Sequence, residues 1–170
     1  MDAITYDENG ISEIDESKCI RCGQCIHSCP FGAIGSKTFI VDVINAIKSG
    51  RPVYAMLAPA AEGQFGPDVT MASWKKAMKE MGFTDFYDVG LGGDMTAAYE
   101  AEEWAEAYKE GKKKVTSCCP AFVNMVRHHF PELADNISTT ISPMAAVSRL
   151  IKAKDPEACL LYTSPSPRDS

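Results

Sequence analysis

Four cysteines fall at positions 19, 22, 25 and 29 in the run CIRCGQCIHSCP, and two more sit side by side at 118 and 119 in VTSCCPAF. The first run has the spacing C-x2-C-x2-C-x3-C-P, in which tight turns between thiolates let three sulfurs converge on one iron–sulfur cubane. Gly23 relieves crowding in the loop, and Pro30 turns the chain away after the last thiol. Zinc is the competing reading, but structural zinc sites use two separated cysteine or histidine pairs. The spacing therefore points to a 4Fe–4S cluster. Cys19, Cys22 and Cys25 would hold one cubane whose fourth ligand lies upstream, and Cys29 would serve a second. A lone cubane held by all four local cysteines is the alternative.

The paired thiols pose a different problem. Adjacent side chains point to opposite faces of a strand and diverge by about 100° on a helix. Cys118 and Cys119 therefore cannot easily hold the same iron and are expected to do different jobs. Cys119 precedes Pro120 at a predicted helix start, where free N–H groups and the helix dipole favour a thiolate. That suits a ligand to an anionic cluster. Cys118, left free, has a reference pKa of roughly 8.5 and can both give and take a proton. Two buried structural cysteines are the plainer alternative.

The elements that must position these residues alternate between helical and strand patterns from Ser36 onward. KTFIVDVINAIKSG predicts a helix with Ile40, Val43, Ile44 and Ile47 on one face and Gly50 as its stop. VYAML (53–57), TDFYDVG (84–90) and KKVTS (113–117) read as three short strands. TMASWKKAMKEMG, with Met71, Trp74, Met78 and Met81 a turn apart, reads as the helix between the first two. Its methionines are core packing rather than a cofactor box. GGDMTAAYEAEEWAEAYKEG predicts a long helix ending at Gly111, with Ala97, Ala101, Trp104 and Tyr108 as its apolar stripe. Glu100 and Glu103, three apart, then neighbour each other at the edge of that stripe. Glu102, Glu106 and Glu110 face solvent. CPAFVNMVRHHF and SPMAAVSRLIKAK are helices with Pro120 and Pro143 in their first turns. His128 and His129 are charges favourable to a helix C-terminus, with metal ligation as the alternative. Strands separated by helices imply parallel β-α-β units with right-handed crossovers, hence an α/β layer.

Composition narrows the function classes. The chain has 170 residues and a net charge of −6, and its one basic block is Lys112 to Lys114. Nucleic-acid binding needs a concentrated basic face, so it is not expected. No apolar run approaches a membrane span. The acidic start MDAITYDENG lacks the apolar core of a secretory signal. A reducing cytoplasm is the expected compartment, where clustered cysteines bind metal rather than form disulfides.

TSCCPAF resembles the first cluster-binding motif of the iron-only (FeFe) hydrogenases, usually TSCCPGW, and CIRCGQCIHSCP is similar to the ferredoxin run upstream of it. APAAEGQFGPDVTMASWKKAMKEMGFTDFYDVGLGGDMT and LADNISTTISP are similar to the same family, so the likeness covers essentially residues 1 to 158. It implies a ferredoxin-like 4Fe–4S module (1–35) followed by an incomplete H-cluster domain (36–158). It also implies reversible reduction of protons to H2, in a longer protein, with a ferredoxin-type electron donor and hydrogenase maturation proteins as partners. By resemblance, Cys119 holds the 4Fe–4S part of the H-cluster, and Cys118 passes protons to and from its two-iron site. Glu100 and Glu103 continue that path, with Ser138 between them. Pro59 and Ala60 line the pocket for the two-iron site. The resemblance also leaves room for a non-catalytic iron–sulfur assembly scaffold or a redox-sensing hydrogenase relative. Retention of Cys118 and Glu100 favours the enzyme, because a scaffold needs no proton relay.

The departures are specific. Ala121 and Phe122 stand in place of the usual glycine and tryptophan, and Ala60 in place of serine. Ala107 stands where an arginine often ends the path, which leaves the exit to solvent open. Both ends look foreign to the rest. CLLYTSPSPRDS piles up serine and proline like a translated sequencing adapter, so residues 159–170 are expected to be an artefact and Cys159 to have no function. Met1-Asp2-Ala3-Ile4 echoes Phe31-Gly32-Ala33-Ile34, which implies that Met1 is internal and that the module is truncated.

Overall fold

The computed structural model describes residues 2–36 and 38–159. Met1 and the expected artefact beyond Cys159 lie outside them. The cysteine module opens with an antiparallel hairpin, β1 (Ile4–Tyr6) and β2 (Ser12–Ile14), in register Ile4↔Ile14. Its turn forms because the Asp7 carboxylate accepts the N–H groups of Asn9 and Ile11, at 2.9 and 2.7 Å, the side-chain turn for which aspartate is favoured. Every residue of both strands is exposed. The short helix α1 (Gln24–Ser28) follows, entered through Gly23 in the left-handed region at φ 75°.

After α2 (Ile40–Lys48) comes one parallel β-α-β unit: β3 (Tyr54–Leu57), α3 (Met71–Glu80) and β4 (Asp85–Asp88). Tyr54 pairs with Asp85 and Leu57 with Asp88. Thr70 caps α3 by accepting the Ser73 N–H at 3.3 Å. Lys75 and Lys79 of α3 both reach Asp85 at 3.3 Å and tie the crossover helix to the start of β4. The expected α/β class is thus realised in a small parallel sheet.

The long helix α4 (Gly90–Lys109) begins directly after β4, where the Asp88 carboxylate accepts the Gly90 N–H at 2.7 Å. α5 (Pro120–His129) and α6 (Pro143–Lys154) complete the lobe, each with proline in its first turn as predicted. The Ser142 hydroxyl caps α6 by accepting the Ala145 N–H at 3.2 Å. α4 and α6 cross closely at Gly92, where a Cβ would run into the Pro143 carbonyl and stand 2.8 Å from Val147 Cγ2.

The core is made of small patches rather than one mass. Val147, Ile151 and Ala158 pack under Tyr54, Met56 and Tyr87. Val123, Val126 and Ile137 pack with Val115 and Phe122. Ala46, Val53 and Cys159 form a third patch. Cys159 also pairs with Val53 as a parallel bridge, its N–H donating to the Pro52 carbonyl at 2.7 Å.

Three expectations need correction. The third strand, 113–117, is reduced to one parallel bridge between Val115 and Ile137, because its neighbour is an irregular segment rather than a strand edge. On α2 the residues turned inward are Val43, Ala46 and Ile47, while Ile40 and Ile44 are exposed. On α4 the expected stripe is inverted. Ala97, Ala101, Trp104 and Tyr108 are exposed, and the inward face carries Gly92, Thr96, Glu100, Glu103 and Ala107. Small residues let α6 approach that face, and the glutamates can lie on it because each finds hydrogen-bond partners there.

Candidate iron–sulfur and proton-transfer site

The loop that carries the first thiols is wound by two left-handed residues, Arg21 at φ 57° and Gly23 at φ 75°. An arginine in that region costs free energy that the surrounding turn must offset. Here Glu16 holds its guanidinium at 3.1 Å. Cys19, Cys25 and Cys29 are half-buried, Cys22 is exposed, and all four thiols are free. The Cys29 sulfur accepts the Ala33 N–H at 3.4 Å. That contact, with further help from the amides of Phe31, Ile34 and Gly32, holds the Cys29 thiol below its ordinary pKa. Amides gathered around a sulfur are what a thiolate in an anionic cluster requires. Among the described residues no three histidine, cysteine or acidic side chains already stand together as a metal-holding group. The four thiols, with their spacing and the amides around Cys29, fit a 4Fe–4S cluster.

The cysteine pair sits where residues 113–119 meet α5. Cys119 is the N-cap of α5, extended at φ −100°, and its carbonyl accepts the Val123 N–H at 3.1 Å. It lines a shallow groove of about 290 Å³ with Trp104, Lys114, Val115, Thr116 and Phe122. Cys118 takes a different partner: its sulfur lies 3.2 Å from the Thr116 hydroxyl, which also accepts the Cys118 N–H at 3.4 Å. Thr116 thus lies against the Cys118 thiol, while Cys119 lines the groove.

Both glutamates of α4 turn towards the segments around this pair. The Glu100 carboxylate accepts the N–H of Ser117, the residue before Cys118, at 3.3 Å. Ser117 is itself buried and donates its hydroxyl to the Thr140 carbonyl at 2.8 Å. One turn along, the Glu103 carboxylate accepts the Ser138 hydroxyl at 2.7 Å and the Thr139 N–H at 3.1 Å. Ser138 is fully buried, and its N–H is anchored to the Val115 carbonyl at 2.8 Å. Lys114 completes the cluster, with its ammonium 3.0 Å from Glu103. Burial on its own would raise the Glu103 pKa. The Ser138 hydroxyl, the Lys114 ammonium and the Thr139 amide outweigh it and hold the carboxyl below the ordinary glutamate value.

Of the residues expected from sequence, the structure brings Glu100 beside the cysteine pair and Ser138 against Glu103. Pro59 and Ala60 lie in a 3-10 turn, Pro59–Ala61, at the carboxyl end of β3, with the Pro59 ring close to Gly90 at the start of α4. That is the edge of a parallel sheet where ligands commonly bind. Both residues are exposed. Lys114, Thr116 and Thr139 were not anticipated. Their signal was faint: a lysine block that reads as surface charge, and hydroxyls inside runs that carry no spacing of their own.

A parallel β-α-β lobe with a thiol pair at a helix start, joined in sequence to a four-cysteine run, defines an iron–sulfur redox protein. Residues 51–164 match the family described as "iron only hydrogenase large subunit, C-terminal domain", and residues 12–35 match the 4Fe–4S binding domain. The chain belongs to the iron-only hydrogenase large-subunit family. The "NADP-reducing hydrogenase subunit HndD" of Solidesulfovibrio fructosivorans is 29% identical, over 81% of this chain and 26% of its own length. "Iron hydrogenase 1" of Clostridium pasteurianum is 33% identical, over 67% of this chain and 22% of its own length. The "periplasmic [Fe] hydrogenase large subunit" of Nitratidesulfovibrio vulgaris is 30% identical, over 82% of this chain and 44% of its own length. The chain therefore spans less than half the length of these relatives. Among the described residues no helix is long and apolar enough to cross a membrane.

Proposed function

We propose that this chain forms the electron-entry and proton-relay part of an enzyme that interconverts protons, electrons and hydrogen gas, 2H⁺ + 2e⁻ ⇌ H2. The observation that carries this reading is the inward turn of both α4 glutamates: Glu100 onto the residue before Cys118, and Glu103 onto buried Ser138. Both carboxylates lie half-buried and hydrogen-bonded against these segments rather than free in water, a placement that suits members of a proton path. In this reading the path runs through Cys118, Glu100, Ser138 and Glu103, supported by the Glu100 contact with Ser117 and the Ser138 contact with Glu103. Each is a group that can hold or move a proton.

Cys119 would hold the cubane part of the H-cluster, and Cys19, Cys22, Cys25 and Cys29 the ferredoxin-type cluster or clusters. When bound, the H-cluster supplies the redox chemistry that forms or splits H2. Pro59 and Ala60 would line the pocket of its two-iron part, with the backbone N–H of Ala60 in place of the missing serine hydroxyl. Electrons would come singly from a ferredoxin or similar carrier. Hydrogenase maturation proteins would supply the two-iron part, and the reducing cytoplasm is the compartment that suits these thiols.

The test uses the full-length, cofactor-loaded protein. Cys118→Ser should lower hydrogen turnover by about 100-fold or more while leaving the cluster spectrum intact. Cys119→Ser should remove the H-cluster signal itself. Full turnover with serine at 118, or an unchanged cluster with serine at 119, would sink the proposal.

A further inference from the structure

The strongest fixed charge beside this path belongs to a residue with no part in it as drawn. Lys114 stands four residues before the cysteine pair. Its ammonium lies 3.0 Å from Glu103 Oε1, and the two side chains are only 17% and 20% exposed. The same nitrogen donates to the Asp135 carbonyl at 3.2 Å and to the Ile137 carbonyl at 3.5 Å. An ammonium has three N–H groups, and here all three have acceptors. Lys114 is therefore aimed as well as nearby, unlike the lysines of loose surface pairs.

The surroundings show why a cation is needed there. Glu100 and Glu103 are three residues apart on one helix face, and the Glu103 carboxylate is only 20% exposed, so water alone does not compensate its charge. Ala107, the next residue along that face, is buried and carries no charge. The other groups facing the site are Tyr99 on α4 and Arg149 on α6. Both are exposed, and they line an open groove of about 510 Å³ together with Glu103. Of these groups, only Lys114 forms an ion pair with the Glu103 carboxylate among the described residues.

We infer that Lys114 is a positioning residue that holds the Glu103 carboxylate turned towards Ser138 and supplies the countercharge for this member of the proposed path. This inference rests on the proton path proposed above, but it can fail separately. In the 170-residue chain, ¹³C-labelled glutamate carboxyls can be followed by NMR across pH, with Glu103→Gln assigning the Glu103 signal. Lys114→Met should raise the Glu103 midpoint by about one pH unit, a tenfold loss of acidity. Lys114→Arg should restore most of that acidity. Lys114→Gln keeps a donor for the carbonyls without the charge, and should behave like methionine even if the methionine variant folds poorly. In the loaded full-length protein, Lys114→Gln should lower turnover and displace its pH profile with cluster spectra unchanged, and Lys114→Arg should retain both rate and profile. A midpoint unmoved by removal of the charge, or moved as far by arginine as by methionine, overturns the inference whatever the turnover. A full-length protein with no hydrogen turnover at all refutes the path on which it rests.

Discussion

Glu103 gathers a hydroxyl, an amide and an ammonium onto one carboxylate, and the consequence can be measured without any cofactor. Its folded carboxyl ionises below its ordinary, unfolded value: burial opposes this, but the Ser138 hydroxyl, Lys114 ammonium and Thr139 amide outweigh it. The stabilisation is therefore fully present above that value and is lost as pH falls through the folded midpoint. Glu103→Gln should cost about 1–2 kcal/mol at pH 7, and the gap from the parent chain should close as pH is lowered. Urea unfolding at neutral and acid pH reads both. Ser138→Ala removes the 2.7 Å donor from the same carboxylate. It should raise the Glu103 midpoint by a smaller amount than loss of the lysine charge, as carboxyl NMR would show.

The long helix α4 does two jobs at its two ends. Near its start, Gly92 lets α6 come against the backbone, so Gly92→Ala should destabilise by about 2 kcal/mol or more through overpacking against Pro143 and Val147. A conservative control is Thr70→Ala at the α3 cap, expected to cost about 1 kcal/mol. Thermal or urea unfolding ranks the two. The extent of every helix from α2 to α6 was close to readable from sequence, because proline, glycine and threonine mark the ends locally. The orientation of α4 was not. Ala97, Ala101, Trp104 and Tyr108 make a better apolar stripe than the face that is buried. Hydrophobic periodicity cannot anticipate a face chosen by small residues and partnered carboxylates. The strand expected over 113–117 failed for a related reason: pairing depends on the partner, and residues 136–138 offer it one bridge only.

At the scale of the whole chain, the cysteine inventory limits what it can do alone. Of seven cysteines, four belong to the N-terminal run, Cys118 carries protons in the proposed path and Cys159 is buried in the core. Only Cys119 remains for the H-cluster cubane. The 170-residue chain is therefore expected to take up iron at its N-terminal run and to release no hydrogen after exposure to the maturation proteins, which gas chromatography and iron analysis would check. The cysteine run and the thiol pair were plain in the sequence because metal ligation depends on local spacing. The Lys114 contact was not, because it joins residues that only the fold brings together. Position 138 carries a last implication. The serine there has no access to water, and its hydroxyl both donates to the Glu103 carboxylate and accepts the Thr140 N–H at 3.1 Å. Replacing it by alanine would strand a half-buried carboxylate and an amide, so the hydroxyl contributes to stability whatever else it does. A relative without catalysis would therefore have the same reason to keep a serine at that spot, and its presence alone is no marker of activity.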